Sequence, residues 1–119
     1  MDILVIDDEE IIRNLFTDIL SGEGHRIFTA NNGMEGIEEI NNRHFHIIFM
    51  DVHMPVMNGL ETLKKIKDTK PEMVVVIMDS YPDQLVEEAQ RIGAHLCIHK
   101  PFEIWEIMEI IKNVSGGCP

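Results

Sequence analysis

Short apolar runs alternate with longer segments of helical period from one end of the chain to the other. Ile3–Ile6 is a continuous apolar run, as a central strand buried on both faces requires. Ile11, Ile12, Leu15, Phe16, Ile19 and Leu20 recur as adjacent pairs every four residues, predicting a helix with one wide apolar stripe, closed by Gly22 and Gly24. His25–Thr29 alternates polar and apolar side chains and reads as an edge strand. Met34, Ile37 and Ile40 mark a second helix, and Ile47–Met50 a second buried strand. Leu60, Leu63 and Ile66 mark a third helix with Lys64, Lys65 and Lys67 on its solvated face, and Pro71 stops it. Met73–Met78, with three consecutive valines, is the most strand-like run. Leu85, Val86, Ala89 and Ile92 predict a fourth helix ended by Gly93, and Leu96–Ile98 a short fifth strand. Ile104, Ile107, Met108 and Ile111 form the stripe of a last helix, leaving Trp105 and Ile110 off it as candidates for a partner surface.

Strands alternating with helices imply right-handed crossovers and a doubly wound parallel sheet covered on both faces. The pattern fills residues 1–114 as one domain and leaves 115–119 as a flexible C-terminal tail. In such a sheet the ligand site lies beyond the carboxyl ends of the strands, where the strand order reverses. Charge adds a second constraint. Ten Lys and Arg face 21 Asp and Glu, a formal net charge of −11. Nucleic acid, which needs a basic footprint, is thereby excluded as a partner, and a cation or a basic protein face is favoured. No apolar run approaches the roughly 18 residues of a membrane span, and Met1-Asp2-Ile3 lacks the basic start of a signal peptide, so a cytoplasmic protein is expected. Cys97, in an apolar run, and Cys118, in the tail, make no disulfide framework.

The acids gather at the predicted strand ends. Asp7 and Asp8 follow the first strand, Asp51 the third, Asp79 and Ser80 the fourth, and Lys100 the fifth. Converging there, four carboxylates would repel by about 1 kcal/mol per pair at 4 Å in water, and by about 4 at an effective dielectric of 20. A hard divalent cation relieves that repulsion, and oxygen ligands suit Mg²⁺. Acids after strands also cap helices, so Asp8 could instead serve the helix that follows it.

Three segments carry a resemblance: Val5-Ile6-Asp7-Asp8-Glu9, Met50-Asp51-Val52-His53-Met54-Pro55-Val56-Met57-Asn58-Gly59, and His99-Lys100-Pro101-Phe102. Together they resemble the receiver domain of two-component response regulators over the whole chain. The resemblance implies a flavodoxin-like (βα)5 fold, a five-stranded parallel sheet of order 2-1-3-4-5. It implies that Asp51 is the nucleophile that takes a phosphoryl group from a phosphohistidine of a sensor histidine kinase or phosphotransfer protein. Asp8 and Asp51 would then ligate Mg²⁺ (or Mn²⁺) with the backbone carbonyl of His53, and Asp7 would act largely through a metal-bound water. Lys100 would pair with Asp51 and later with the phosphoryl oxygens, and the Lys100-Pro101 peptide would be cis, aiming the lysine at the site.

The chain departs from that pattern in two places. Receivers usually end the fourth strand in Thr or Ser followed by a small residue. Counting from Asp51 puts Asp79 in the hydroxyl place and Ser80 in the small one, while counting back from Lys100 leaves the register ambiguous by one because the loop around Pro82 is shortened. An ionised Asp79 offers no donor to a phosphoryl group. It could be protonated, swing outward, or leave the hydroxyl to Ser80. Cys97 stands where an aromatic switch residue is usual, with Tyr81 nearby as a loop aromatic. His53 reads as a solvated loop residue that could instead shield an acyl phosphate, and the other histidines lack zinc-ligand spacing. The sequence thus points to a stand-alone receiver, a phosphoacceptor and not a turnover enzyme, that relays its signal to a downstream target protein through altered contacts. The alternative is a degenerate receiver acting as a phosphorylation-independent interaction module. A phosphohydrolase would need Asp-x-Asp after the first strand, and the chain has Asp7-Asp8.

Overall fold

The computed structural model describes residues 1–81 and 83–115. Five strands, β1 (Asp2–Ile6), β2 (Arg26–Ala30), β3 (Ile47–Asp51), β4 (Val75–Asp79) and β5 (Leu96–His99), alternate with five helices. These are α1 (Glu10–Ser21), α2 (Gly33–Asn42), α3 (Gly59–Thr69), α4 (Gln84–Arg91) and α5 (Ile104–Ser115). All strand pairs are parallel and the order is β2-β1-β3-β4-β5. The flavodoxin-like fold is therefore the one the alternation and the resemblance implied. The proposed domain end at 114 falls one residue short of the end of α5, and the rest of the expected tail, 116–119 with Cys118, lies outside the described residues, as does Pro82.

β3 and β4 are buried at every position, and β1 at all but its first. Those are the strands that must be hydrophobic throughout, because helices cover both faces. Leu4, Ile6, Ile48, Met50, Val52, Val75 and Ile77 meet Ile40, Leu63, Ile66, Val86 and Ala89 of α2, α3 and α4 on one face. Ile3, Val5, Ile47, Phe49, Val76 and Met78 meet Phe16 and Leu20 of α1 and Ile107, Ile110 and Ile111 of α5 on the other. Ile110 is thus a core residue, not the partner-facing one the helical stripe suggested, while Trp105 stays 66% exposed. Ile11, read as part of the core stripe of α1, is exposed at the rim of the acidic end. Lys67 is also not simply solvated: its Nζ donates to the carbonyls of Pro71 and Met73 at 3.2 and 2.8 Å, closing the α3–β4 loop.

Helix starts are set by side chains. Asn32 Oδ1 accepts the Glu35 N–H at 3.0 Å at the start of α2. Asn58 and Glu61 form a reciprocal capping box on α3, with bonds of 2.9 and 3.2 Å. Asp83 Oδ1 takes the N–H groups of Leu85 and Val86 on α4. Each such cap contributes about 1 kcal/mol. α1 differs from these three: its N-cap residue is Glu9, and no side chain caps it. Capping therefore does not account for Asp8. Among the described residues, no helix is long and apolar enough to cross a membrane.

The capping box also seats α3 against the end of β3. Gly59 donates its N–H to the Val52 carbonyl at 2.9 Å, and a Cβ there would lie 2.5 Å from Val52 Cα and 2.6 Å from the Asp51 carbonyl oxygen. Backbone atoms cannot yield as a side-chain tip can. Gly59→Ala should lower stability by about 1–3 kcal/mol in urea denaturation, the usual cost of overpacking. In the loop before it, Val56 holds φ at 70°, a left-handed conformation that a β-branched residue rarely adopts. Val56 is exposed, so Val56→Gly removes that strain without opening a cavity and should raise stability by up to about 1 kcal/mol in the same assay.

Candidate functional site

The parallel sheet delivers Asp7 and Asp51 to adjacent positions, because Ile6 of β1 and Met50 of β3 are register partners and each acid is the next residue. Asp7 is fully buried, Asp51 is 3% exposed, and Asp8 is exposed. One carboxylate oxygen from each of the three can be chosen so that all lie within 4.8 Å of one another, and among the described residues this is the sole group of that kind. Lys100 arrives from the far side of the sheet at the end of β5. Its Nζ donates to Asp7 Oδ2 at 2.8 Å, to Glu9 Oε1 at 3.3 Å and to Asp51 Oδ2 at 3.4 Å. The Lys100-Pro101 peptide is cis, as the resemblance implied.

The backbone supports the acids. Asp7 Oδ1 accepts the Glu9 N–H at 2.9 Å, and Arg13 of α1 donates from Nη1 to the Asp7 carbonyl at 2.8 Å. Asp51 Oδ1 accepts the His53 N–H at 3.2 Å. These contacts do not offset the loss of water. Burial, then the charge of Asp7, push the Asp51 carboxyl up to about 6, against the opposing pull of Lys100 and the His53 N–H. Burial also raises Asp7, although its hydrogen bond to Lys100 works the other way. Burial disfavours the Lys100 ammonium, but the hydrogen bond to Asp7 and the charges of Asp51, Asp7 and Glu9 outweigh it and raise its pKa. One cation is shared by three carboxylates, and the pocket remains anionic near neutral pH.

Asp79 is not part of this convergence. It is fully buried at the end of β4, and both its oxygens lie 2.9 Å from His99 Nδ1. Ser80 is exposed. Cys97, the register partner of Ile77, is half-buried, and burial raises its thiol. His53 is not a solvated residue: its ring stacks on Tyr81 with centroids 4.6 Å apart, and its Nε2 lies 3.2 Å from Asp83 Oδ2 without the alignment of a hydrogen bond. Sequence reasoning missed Glu9, Arg13 and His99. Glu9 was open to view as a third acid directly after Asp7-Asp8, but the partner of His99 depends on the β4–β5 register, in which Asp79 faces His99. A concavity of about 650 Å³ lined by His44, Phe45, His46, Lys70 and Met73 lies at the opposite end of the strands and takes no part in this chemistry.

The sequence profile of the response regulator receiver domain matches residues 3–112. The chain belongs to that family. This receiver domain is similar to sporulation initiation phosphotransferase F of Bacillus subtilis, 32% identical over 93% of this chain and 90% of the relative. It is also similar to chemotaxis protein CheY of Thermotoga maritima, 31% identical over 95% and 96% of the two chains. Among solved structures, response regulator protein TrrA from Thermotoga maritima, crystallised in complex with Mg²⁺-BeF, superposes with a TM-score of 0.86 at 29% identity over 95% of this receiver and 97% of that chain. Several other relatives are longer, and the receiver spans 24–27% of their length.

The raised Asp51 has a thermodynamic consequence with a definite sign. A carboxyl at about 6 when folded and near 3.8 when unfolded favours folding fully below 3.8, and that contribution is lost as the pH rises through about 6. Near neutrality the metal-free fold therefore carries a penalty of up to about 3 kcal/mol from this buried group. Asp51→Asn should stabilise the protein in EDTA at about pH 7 by about 1–3 kcal/mol, with the gap to wild type narrowing towards about pH 4 in urea titrations.

Proposed function

We propose that this receiver accepts a phosphoryl group on Asp51 from a phosphohistidine of a sensor histidine kinase or phosphotransfer protein, and relays the signal to a downstream protein through altered contacts. The observation that carries this is the shared reach of Lys100 Nζ to Asp7 and Asp51, beside three carboxylates whose oxygens lie within 4.8 Å. Three clustered hard oxygen donors that outnumber their single ammonium suit Mg²⁺ or Mn²⁺. Asp7, Asp8 and Asp51 would hold the ion, with the His53 carbonyl added on the strength of the family resemblance. When bound, the ion supplies positive charge against the oxygens of the transferring group.

The chain's own residues do the rest. At neutral pH Asp51, with its carboxyl at about 6, is mostly ionised and able to attack. A carboxylate oxygen forms the new bond to phosphorus as the nitrogen–phosphorus bond of the donor breaks, and the departing imidazole keeps the electron pair. Lys100 is within 3.4 Å of the attacked carboxylate and offers its ammonium to the phosphoryl oxygens as they arrive. Burial of Asp7 and Asp51 keeps bulk water from competing. The result is a covalent self-modification, the behaviour of a phosphoacceptor and not of a turnover enzyme.

A second reading, a phosphorylation-independent interaction module, is favoured by one observation: the end of β4 presents a buried carboxylate tied to His99 where a hydroxyl donor is usual. Mass spectrometry separates the two. Incubation with phosphoramidate and Mg²⁺ should add one phosphoryl group to the wild type and none to Asp51→Asn, while Lys100→Met should slow the gain by about a hundredfold or more, as loss of a preorganised charge does. An unchanged wild-type mass would favour the module.

A further inference from the structure

Asp79 is a carboxylate with no exposed surface, and a buried charge is stable only if paired and hydrogen-bonded. Its partner is a single ring nitrogen, His99 Nδ1, 2.9 Å from both oxygens. Nδ1 is the ring nitrogen turned to the carboxylate, and the contact with both oxygens fixes the orientation of the ring. The His99 side chain is otherwise 67% exposed, so this bond is what holds it down on the sheet.

The same residue also holds the next one. The Asp79 carbonyl accepts the Lys100 N–H at 2.6 Å, so Asp79 grips the last residue of β5 through its side chain and the residue after it through its backbone. Beyond Lys100 the chain continues into Pro101, which has no N–H to extend the ladder. Pairing to β4 therefore ends at the residue from which the ammonium must span the top of the sheet to reach Asp7 and Asp51. The 3.4 Å contact with Asp51 is the longest of the three that Nζ makes, and it is the first to be lost if the end of β5 shifts.

We propose that the Asp79–His99 pair is a positioning element for phosphoryl acceptance: it anchors the end of β5 so that Lys100 is aimed at Asp51. In this chain the residue standing where a hydroxyl donor is usual serves the lysine and not the phosphoryl group directly. The inference rests on the reading of Asp51 as phosphoacceptor and goes beyond it in assigning a role to two residues outside the acid cluster. It separates phosphoryl acceptance, which needs Lys100, from metal binding, which needs Asp7, Asp8 and Asp51 and does not need His99.

The test compares His99→Ala and His99→Asn with wild type, measuring the rate of phosphoryl gain from phosphoramidate by mass spectrometry and Mg²⁺ affinity by calorimetry. His99→Ala should lose about ten- to a hundredfold in rate, the effect of a misplaced reacting group, with Mg²⁺ bound as tightly as before or more tightly. His99→Asn, whose amide nitrogen sits at the same bonded distance from the backbone as Nδ1, should recover most of the rate. Should His99→Ala fail to fold with Asp79 buried and unpaired, the double variant Asp79→Ala/His99→Ala removes that charge and should show the same slow acceptance. Rates equal to wild type in the alanine variants, or a loss of Mg²⁺ affinity in parallel with rate, would overturn the proposal. A wild type that gains no phosphoryl group overturns the reading of Asp51 and this one with it; a wild type that does, beside an equally fast His99→Ala, overturns this one alone.

Discussion

Lys100 Nζ lies within 2.8–3.4 Å of three carboxylates, those of Asp7, Glu9 and Asp51, while Asp8 adds a fourth at the rim of the same cluster. A single ammonium cannot neutralise that many charges, and two of the acids are cut off from water. The site is thus held together by a contact that leaves it short of positive charge. Its raised Asp51 and its suitability for a hard cation both follow from that imbalance. The fold serves the imbalance. Three parallel strands, buried at all but the first residue of β1, force the acids to one end of the sheet, and the reversal of strand order between β1 and β3 opens the crevice into which they point.

Most of this was legible in the sequence because the features that encode it are local. β1, β3 and β4 are runs too apolar to lie anywhere but the centre, and a polar residue at the end of any strand emerges at the carboxyl edge of the sheet; Asp7, Asp51 and Lys100 are placed by that rule. Two kinds of information escaped it. A helical stripe does not show how far the sheet reaches along or around a helix, so Ile11, in the first turn of α1, came out exposed and Ile110, in the middle of α5, buried. Contacts between side chains on neighbouring strands depend on register, which no single strand carries. Asp79 and His99 are 20 residues apart and meet because β4 and β5 pair in one register out of several. The solvated reading of His53 failed for a similar reason: Tyr81 and Asp83, which enclose it, come from another loop.

Asp79 shows how a departure from a family pattern is absorbed. A fully buried carboxylate at the end of β4 would be costly unpaired, and the chain supplies His99 to pair it. Asp79 is thereby paired outside the acid cluster, and Asp7, Asp8, Asp51 and Lys100 remain as the groups that converge. The departure from the family pattern is confined to the facing ends of β4 and β5.

The central claim is that the pocket is too anionic to be at ease without a cation, and the carboxyl of Asp51 reports on it directly. Carbon-13 NMR titration of that carboxyl, with and without Mg²⁺, is the decisive measurement. The account predicts a midpoint near 6 in the metal-free protein that falls well below that value when Mg²⁺ is added. A midpoint in the ordinary carboxylate range that Mg²⁺ leaves untouched would contradict it.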